Sequence, residues 1–500
     1  MGQIVLLPTN LSEMIPTNHL VRVVNRYIEQ MDLAPLLVCY KGGGTSSYHP
    51  KMMLKVFAYA YTQKIYSSRR IAKALRESVP FMWLSGLNHP DFRTINRFRG
   101  VLLKGVIGEV FFALLKLLVA EGYVKLEDYF VDGTKVEANA NRNTAVWAKN
   151  TQRYEKQLAE KVRQLMTQIE QIEREENERY GDKDLEEMGE KGPLDLQKLT
   201  ESVEALNQQL QTSVEETVSE KCEVEPCETT PAQASEHPKL SAQIETHLAA
   251  LQQTVKTHPK NNPLVKAVRT LAKDCLPRAR KYEEQQQKLG ERNSYSKTDK
   301  DATFMRMKED HNRPGSQPKP AYNIQNGTEN QFVVNYSVHQ QAGDTNCLIP
   351  HLDQAKAGLE RLPKKVGGDS AYGSEENYAY LEREKVGNYL KYNTFDREQK
   401  KRYVPNPYQA ENMAYDPERD VFTCPAAKTM RYLHTDHSRT RNGFPVEQRV
   451  YTGENCQNCP LKEKCTRAAN NRCIRISFRL RKYRQQAHEN LLSDEGRRLR

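Results

Sequence analysis

The strongest constraint on the fold comes from two short apolar segments that lie far apart in the chain and that each contain one aspartate. The first runs from Tyr129 to Arg142, and its aromatic and β-branched residues predict a buried strand with Asp132 inside it. A carboxylate on a buried strand is costly unless a cation, a strong set of hydrogen bonds or a metal ion compensates it. The second segment leads from a basic start through apolar residues to Asp369. Alone, Asp132 could simply occupy a turn at a strand end, but the second aspartate favours a shared site.

Length and charge limit the classes of protein to which the chain could belong. Its 500 residues are too many for one hydrophobic core, so about two to four domains are expected. The formal net charge of +11 favours a polyanionic partner, of which nucleic acid is the first choice. The longest apolar stretch, near Val110 to Ala120, is interrupted by Lys116, so no membrane-spanning helix is predicted. The N-terminus lacks the basic region and cleavage site of a secretion signal, which indicates a cytoplasmic protein.

Residues 1–122 predict an all-helical N-terminal domain. Three short helices are expected at Tyr66 to Arg76, Val79 to Leu84 and Asn88 to Arg99, an arrangement typical of a helix-turn-helix. The alternative is a plain helical bundle whose arginines are solvated. If the domain contacts DNA, the candidates are polar residues of the first and third helices: Arg69, Arg70, Arg93, Asn96, Arg97 and Arg99.

Residues 150–300 differ in character, because apolar residues recur there at alternating steps of four and three. Such stripes are typical of coiled coils, and they run over 154–172, 199–210 and 240–255. A polar, proline-containing loop that includes Cys222 and Cys227 separates the second stripe from the third. We interpret the segment as a helical hairpin or small bundle inserted between two strands of another domain. It could mediate dimerisation or act only as a spacer.

Strand signals return after this insertion. A hairpin is predicted from strands at 320–326 and 332–339, followed by a helix at 348–362 and the strand that leads to Asp369. A helix from about Ser374 to Lys385 and a strand at 389–392 come next. With the Asp132 strand placed first, this is the order of a ribonuclease-H-like α/β core. We expect its two parts at 123–149 and 301–400.

A cysteine-rich insertion is predicted at 401–473. Its Cys-x₂-Cys pair with two flanking cysteines is compatible with a tetrahedral structural zinc site, although the spacing is not that of a standard finger. Unpaired buried thiols are the alternative, and Cys473 could replace one ligand. The candidate zinc ligands are Cys424, Cys456, Cys459 and Cys465.

The last predicted segment is a basic helix at 474–500. A run of cations without an intervening acid suits contacts with DNA phosphates, which supply affinity without sequence information. The alternative is a solvated helix face. The candidate phosphate ligands are Arg479, Arg481, Lys482 and Arg484.

Several ordered motifs together resemble the DDE transposases of bacterial insertion sequences: Phe130 to Asn141, Asp301 to Lys308, Lys319 to Gln325 and Gly368 to Asn377. The resemblance covers nearly the whole chain. It points to the branch called the eleven-eighty-two insertion-sequence family, in which a helical N-terminal domain precedes the catalytic core. It implies that Asp132 and Asp369 are the first two acids of the DDE triad and bind Mg²⁺. Two such ions, about 4 Å apart, activate the attacking oxygen and stabilise the leaving oxygen.

The resemblance further implies a transposase that binds the terminal inverted repeats of its element on double-stranded DNA, cuts them and joins their 3′-hydroxyls to target DNA. Such an enzyme works as a homo-oligomer in a synaptic complex and associates with the nucleoid. The third acid, a glutamate, would follow a segment like 478–500, so we expect the chain to be truncated before it; Glu489 and Glu495 stand in the wrong context. One alternative is a catalytically defective product that occupies element ends, and a weaker one is a domesticated nuclease.

Overall fold

The computed structural model describes residues 10–40, 47–180, 239–257, 262–310 and 316–499. It separates into two compact units. Unit 1 comprises residues 1–137, 305–317 and 321–500, and unit 2 comprises residues 138–304 and 318–320. The predicted stripe at 199–210 and the loop with Cys222 and Cys227 lie outside the described residues.

The elements alternate between long helical stretches and short strands. The helices are α1 Leu20–Gln30, α2 Ala34–Val38, α3 Pro50–Thr62, α4 Ser68–Glu77, α5 Val79–Ser85, α6 Phe92–Arg97, α7 Ile107–Ala120, α8 Ala148–Tyr180, α9 Leu240–Thr257, α10 Pro263–Thr270, α11 Leu276–Leu289, α12 Leu348–Leu359, α13 Glu375–Arg383, α14 Phe395–Glu398, α15 Lys462–Cys465, α16 Phe478–Leu492 and α17 Asp494–Leu499. The strands are β1 Asp128–Glu137, β2 Ala145–Trp147, β3 Ser294–Ser296, β4 Thr303–Met305, β5 Lys319–Glu329, β6 Phe332–His339, β7 Lys365–Gly368, β8 Gly387–Leu390, β9 Ala414–Asp416, β10 Val421–Thr423, β11 Thr429–Arg439, β12 Pro445–Gly453 and β13 Cys473–Ile476.

The first part of unit 1 is all-helical, and α4, α5 and α6 confirm the three short helices expected from the sequence. The side chains of Val56, Ile71 and Ile95, from α3, α4 and α6, are fully buried in one apolar cluster. At the start of α6, the Asp91 carboxylate accepts the backbone N–H of Thr94 at 2.7 Å, which caps the helix. The short helices are therefore held by a common core as well as by their own ends.

The central sheet of unit 1 includes the strand order β6-β5-β1-β7-β8. Strand β1 runs antiparallel to β5 and parallel to β7, and β7 runs parallel to β8. The predicted hairpin is confirmed as β5 and β6. The predicted helices and strand that follow are confirmed as α12, α13 and β8. This sheet and its covering helices form a mixed α/β core.

The prediction that Asp132 sits on a buried strand is wrong. Along β1 the side chains alternate, so that Tyr129 and Val131 are buried while Phe130 and Asp132 are exposed. An exposed carboxylate keeps its hydration and has no desolvation cost to offset. The residues in this run are apolar because one face of the strand covers the core, and Asp132 occupies the other face.

A buried polar network joins helix α12 to the sheet. The Tyr129 hydroxyl lies 2.6 Å from Nε2 of His351, and Nδ1 of His351 lies 2.7 Å from the Ser337 hydroxyl. Burial lowers the pKa of His351 to about 3, so the ring is neutral near pH 7. A Cβ at Gly327 would lie 1.7 Å from the Tyr129 hydroxyl oxygen, so only glycine leaves room for the tyrosine. The network fixes the register of α12 against β1 and β6.

The cysteine-rich segment contains a second, antiparallel sheet in the order β13-β12-β11-β10-β9. Its small apolar core includes Phe422, Tyr451 and Ile474. Arg449 and Tyr451 both bind the Asp420 carboxylate, at 2.5 and 2.7 Å. Helix α16 follows β13 directly, with the Ser477 hydroxyl accepting the backbone N–H of Leu480 at its start.

Unit 2 is mainly helical, and its long helix α8 contains the first predicted stripe. Leu158, Val162 and Ile169 of that stripe are buried in one cluster with residues of α9, α10 and α11, whereas Tyr154 is 40% exposed. The apolar residues at steps of four and three therefore pack within a small helical bundle. Whether the unit also mediates dimerisation or serves as a spacer stays a prediction.

Candidate active site

The parallel pairing of β1 with β7 brings the two predicted aspartates to neighbouring positions. Val131 pairs with Gly368, so the next residues along the two strands are Asp132 and Asp369. Strand β7 ends at Gly368, and Asp369 caps a single 3₁₀ turn by accepting the backbone N–H of Ala371 at 3.0 Å. Neighbouring strands lie about 4.8 Å apart. Both carboxylates are exposed at the carboxyl end of β7, which is where ligands meet open α/β sheets.

Asp369 lies in an acidic environment. Although the residue as a whole is exposed, nearby protein atoms partly shield its carboxylate from water, and this desolvation is the chief cause of its raised pKa; the charges of Asp344 and Asp132 raise it further. The N–H of Ala371 and the Lys308 ammonium act in the opposite direction. A site with a raised carboxyl pKa and several acids is one that a bound cation would stabilise.

The third acid at this site, Asp344, was not predicted from the sequence as a site residue. It lies in the loop between β6 and α12, where its Oδ1 accepts Nδ2 of Asn323 at 2.7 Å and Nε2 of Gln325 at 2.9 Å. The Tyr372 hydroxyl donates to the side-chain oxygen of Gln325. Both amides are fully buried. This network connects β5, the Asp344 loop and the turn after Asp369.

A signal for the network was present in the alternation of β5. Residues two apart on a strand share a face, so Asn323 and Gln325 point to the same side, between apolar neighbours. Two buried amides in succession require partners. No comparable signal marked Asp344, because a polar residue in a loop before a helix is common.

The acid pair offers the oxygen ligands that Mg²⁺ prefers, since this ion is usually bound by one or two carboxylates and several waters. Asp132 and Asp369 fit that donor set. Across the described ranges, no group of three or more His, Cys, Asp and Glu side chains has metal-binding geometry. The two carboxylates could therefore hold an ion only with further ligands from water or substrate.

Glu495 lies at the other end of the sheet from the acid pair. It pairs with Lys365, the first residue of β7, and accepts the Tyr389 hydroxyl at 2.7 Å. Glu489 accepts the Gln485 amide on α16. Neither glutamate is therefore placed beside Asp132 and Asp369 by these contacts.

The four predicted zinc ligands line one cavity in the second sheet region. Cys424, Cys456, Cys459 and Cys465 surround a volume of about 20 Å³, room for about one water-sized occupant. Arg472 donates from its guanidinium to Sγ of Cys465 at 2.9 Å and from its backbone N–H to Sγ of Cys456 at 3.5 Å. Cys473 is exposed and does not line the cavity. Four thiols on one cavity are the ligand type of structural zinc sites, but in this structure they do not stand in metal-binding geometry.

The predicted DNA-contact residues of the N-terminal helices share one surface in part. The guanidiniums of Arg69 and Arg93 lie 5.2 and 5.7 Å from the centre of the exposed Phe92 ring. Arg99 donates to the Tyr66 carbonyl and to the Asn96 side chain. Arg70 and Arg97 are also exposed. Basic groups from α4 and α6 thus converge beside one aromatic ring.

The cations of α16 are less available than their sequence suggests. Arg479 binds Glu375 at 2.6 Å, Arg484 binds Glu411 at 3.3 Å, and Lys482 lies 3.9 Å from Glu382. Arg481 lies 5.9 Å from the centre of the Phe422 ring. The local run contains no acid, but the fold supplies acids from α13 and from the segment before β9. Arg479 in particular is a structural ion-pair residue.

Two family models match the chain. One, described as a transposase domain (DUF772), matches residues 9–100, which contain α1 to α6. The other, described as a transposase DDE domain, matches residues 423–500, from the second sheet into α17. The chain thus contains two segments that are similar to transposase domains, one of them of the DDE type. No curated protein and no solved structure matched it.

The two matches support a transposase function, and the DDE match agrees with the mixed α/β core. They do not favour the alternative of a defective product that only binds DNA. Asp132 and Asp369 lie outside both matched segments. A search of the described residues found no helix with the length and hydropathy of a membrane span.

Proposed function

We propose that this transposase cuts DNA at the terminal inverted repeats of its element and transfers the cut strands to target DNA, with Asp132 and Asp369 as its catalytic carboxylates. The observation that carries the proposal is the parallel register of β1 and β7, in which these aspartates follow a matched pair of residues. A metal ion bound there would supply activation of the attacking oxygen and stabilisation of the leaving oxygen.

The chain's own residues prepare this site. The backbone N–H of Ala371 orients the Asp369 carboxylate, and the network of Asn323, Gln325 and Asp344 holds the loop beside it. The strand order around β1, with β7 and β8 parallel to it and β5 antiparallel, supports a ribonuclease-H-like core. Two Mg²⁺ ions would complete the site, since oxygen ligands from DNA can add to the two carboxylates.

Finer assignments follow from the same proposal. The N-terminal helices would bind element ends through the surface around Phe92, since paired guanidiniums beside an aromatic ring suit DNA phosphates. The helical domain before the core supports the eleven-eighty-two family type. The synaptic complex would be a homo-oligomer, because two ends have to be cut together. The protein would act in the cytoplasm, associated with the nucleoid.

The test uses the purified chain, MgCl₂ and a duplex made from the genomic DNA on either side of its gene, with a scrambled duplex as control. Cleavage of the flanking DNA alone, and only with Mg²⁺, is expected. Asp132→Asn and Asp369→Asn should each abolish it, whereas Asp494→Asn, at a carboxylate that is 98% exposed on α17, should not. Undiminished cleavage by either active-site variant would remove that aspartate from the mechanism.

We also infer that the cavity lined by the four cysteines binds a structural zinc ion. The support for this inference is that four cysteines line one small cavity, since thiolates are the common ligands of structural zinc. Protein purified without added metal should contain about one zinc per chain by elemental mass spectrometry. Cys459→Ser should lose the zinc, and Cys473→Ser, outside the cavity, should keep it. Zinc content unchanged in Cys459→Ser would contradict this assignment.

A further inference from the structure

A polar groove of about 510 Å³ lies beside the proposed catalytic edge of unit 1. It is lined by the segment after β8, by the residues before β9 and by one face of α16. Four of its lining residues are arginines: Arg397, Arg475, Arg481 and Arg484. Neither the proposed acid pair nor the cysteine cavity belongs to it.

The groove begins one strand away from Asp369. The backbone N–H of Lys391 donates to the carbonyl of Gly368 at 3.1 Å, and Tyr392, the first residue of the groove, follows at once. The turn after Asp369 is packed against the same segment, since a Cβ at Gly373 would lie 3.2 Å from Cα of Tyr392. A strand of DNA whose phosphate lay between the two aspartates would therefore reach the groove within a short distance.

Both carboxylates of the groove have partners within the protein. The Glu398 carboxylate accepts the hydroxyls of Tyr392 and Thr394, both at 2.5 Å, and Glu411 pairs with Arg484. By contrast, the ion pairs of the described residues include neither Arg397 nor Arg481, and the Arg481 guanidinium lies 5.9 Å from the centre of the Phe422 ring. The four arginines of the groove outnumber its two carboxylates, Glu398 and Glu411, so its lining carries a net positive charge, and Arg397 and Arg481 are left for an anionic ligand.

The guanidinium of Arg484 also has an N–H group without an acceptor. Its Nε is buried and has no hydrogen-bond partner among the described residues. A buried N–H without an acceptor costs about 1–3 kcal/mol, which an oxygen ligand in the groove could recover. The neighbouring His488 ring, 2.7 Å from the Tyr392 hydroxyl, lines the same wall.

We propose that this groove binds an unpaired strand of DNA next to the phosphate that is cut, with phosphate oxygens against Arg397 and Arg481. The ligand is a single strand because a recess of this size is that of a pocket for one small molecule, too narrow for a duplex. The proposal rests on the proposed function only for the position of the scissile phosphate. Strand binding itself does not require an active acid pair.

The test measures binding of the full chain to a fluorescent oligothymidylate of about twelve nucleotides, and to a duplex of the same length, over a series of salt concentrations. The variant R397A/R481A should bind the single strand on the order of tenfold more weakly. Its slope of log affinity against log salt should be smaller by roughly 1.4, because two phosphate contacts are lost. The control R419A removes an exposed arginine in the turn before β10 that does not line the groove, and it should change neither value.

Arg481 contacts the Phe422 ring, so R397E alone provides a second variant at an exposed side chain. It should weaken single-strand binding while leaving the unfolding midpoint unchanged. Unchanged single-strand affinity in both variants would overturn the proposal, and so would an equal loss for the duplex. Asp132→Asn should lose cleavage and keep strand binding. If that variant still cuts DNA while R397E loses strand binding, the proposed function fails and the groove assignment stands.

Discussion

At the scale of single residues, Gly133 shows how closely the acidic site is packed. It follows Asp132 directly, and a Cβ at this position would lie 2.7 Å from Oδ1 of Asp344 and 2.9 Å from Nε2 of Gln325. Any side chain there would push the Asp344 loop away from β1. The glycine is therefore required by the carboxylate opposite it.

We expect Gly133→Ala to lower the free energy of unfolding by about 1–3 kcal/mol, because the methyl group would overpack a buried hydrogen-bond network. Chemical denaturation measures the change. Gly343→Ala is the matched control, since a Cβ there meets nothing within 4 Å and the residue lies in the same loop as Asp344. An equal loss in both variants would mean that loop flexibility, and not packing, sets the requirement.

Asp369 gives a prediction about pH. Its pKa in the folded protein is raised above the ordinary value of 3.8, so the unfolded chain loses this proton first as pH rises. Above 3.8 the ionised carboxylate therefore disfavours the folded state, and the cost is complete once pH exceeds the raised value. The stability of Asp369→Asn relative to wild type should increase between pH 3.5 and pH 7, roughly the window set by ordinary and raised carboxyl pKa values.

Urea titrations of both proteins at the two pH values would measure the difference. A constant difference between Asp369→Asn and wild type across this range would show that the carboxylate is not disfavoured in the folded state.

At the scale of elements, helix α16 is attached to α13 by an ion pair that is partly buried. The Glu375 side chain is 7% exposed and Nε of Arg479 lies 2.6 Å from it, whereas Lys482 on the same helix is 75% exposed. Arg479 also donates to the Pro445 carbonyl at 2.5 Å. The two cations therefore differ in role although they are three residues apart.

Arg479→Ala should lower the free energy of unfolding by about 1–3 kcal/mol, because it leaves a buried carboxylate without its donor. Lys482→Ala should change it by less than about 0.5 kcal/mol, as for most exposed pairs. Thermal or chemical unfolding of the two variants compares them directly. Similar small effects would mean that Glu375 finds another donor in the folded state.

The elements also show what the sequence could and could not predict. The Asp132 and Asp369 strands were predictable because β-branched and aromatic runs identify strands, and their apposition followed from the order of the core. The exposure of Asp132 was missed because a run that covers a core on one face resembles a buried strand. The ion pairs of Arg479 with Glu375 and of Arg484 with Glu411 were missed, because both glutamates lie far from α16 in sequence. Pairings between distant segments leave no local pattern.

At the scale of the whole molecule, the two units have separate apolar cores. Leu271 is fully buried among helices of unit 2, and Leu352 is fully buried beneath the central sheet of unit 1. No residue belongs to both clusters. A mutation in one core should therefore lower the stability of that unit and leave the stability of the other unchanged.

Leu271→Ala and Leu352→Ala should each remove about 2–5 kcal/mol, because each leaves a cavity in a closed core. In calorimetry or chemical denaturation, each variant should shift a different transition and leave the other in place. A single transition that both variants shift equally would show that the units unfold as one.

The parallel pair β1 and β7 has a consequence for the making of the protein. Asp128 and Lys365, which pair across these strands, are 237 residues apart in the chain. At elongation rates of about 5–20 residues per second, the ribosome needs roughly ten to fifty seconds to cover that distance. During this interval the N-terminal helices can fold on the emerging polypeptide while Asp369 has not yet been added. Every nascent chain therefore lacks the second carboxylate of the proposed site until Asp369 has left the exit tunnel.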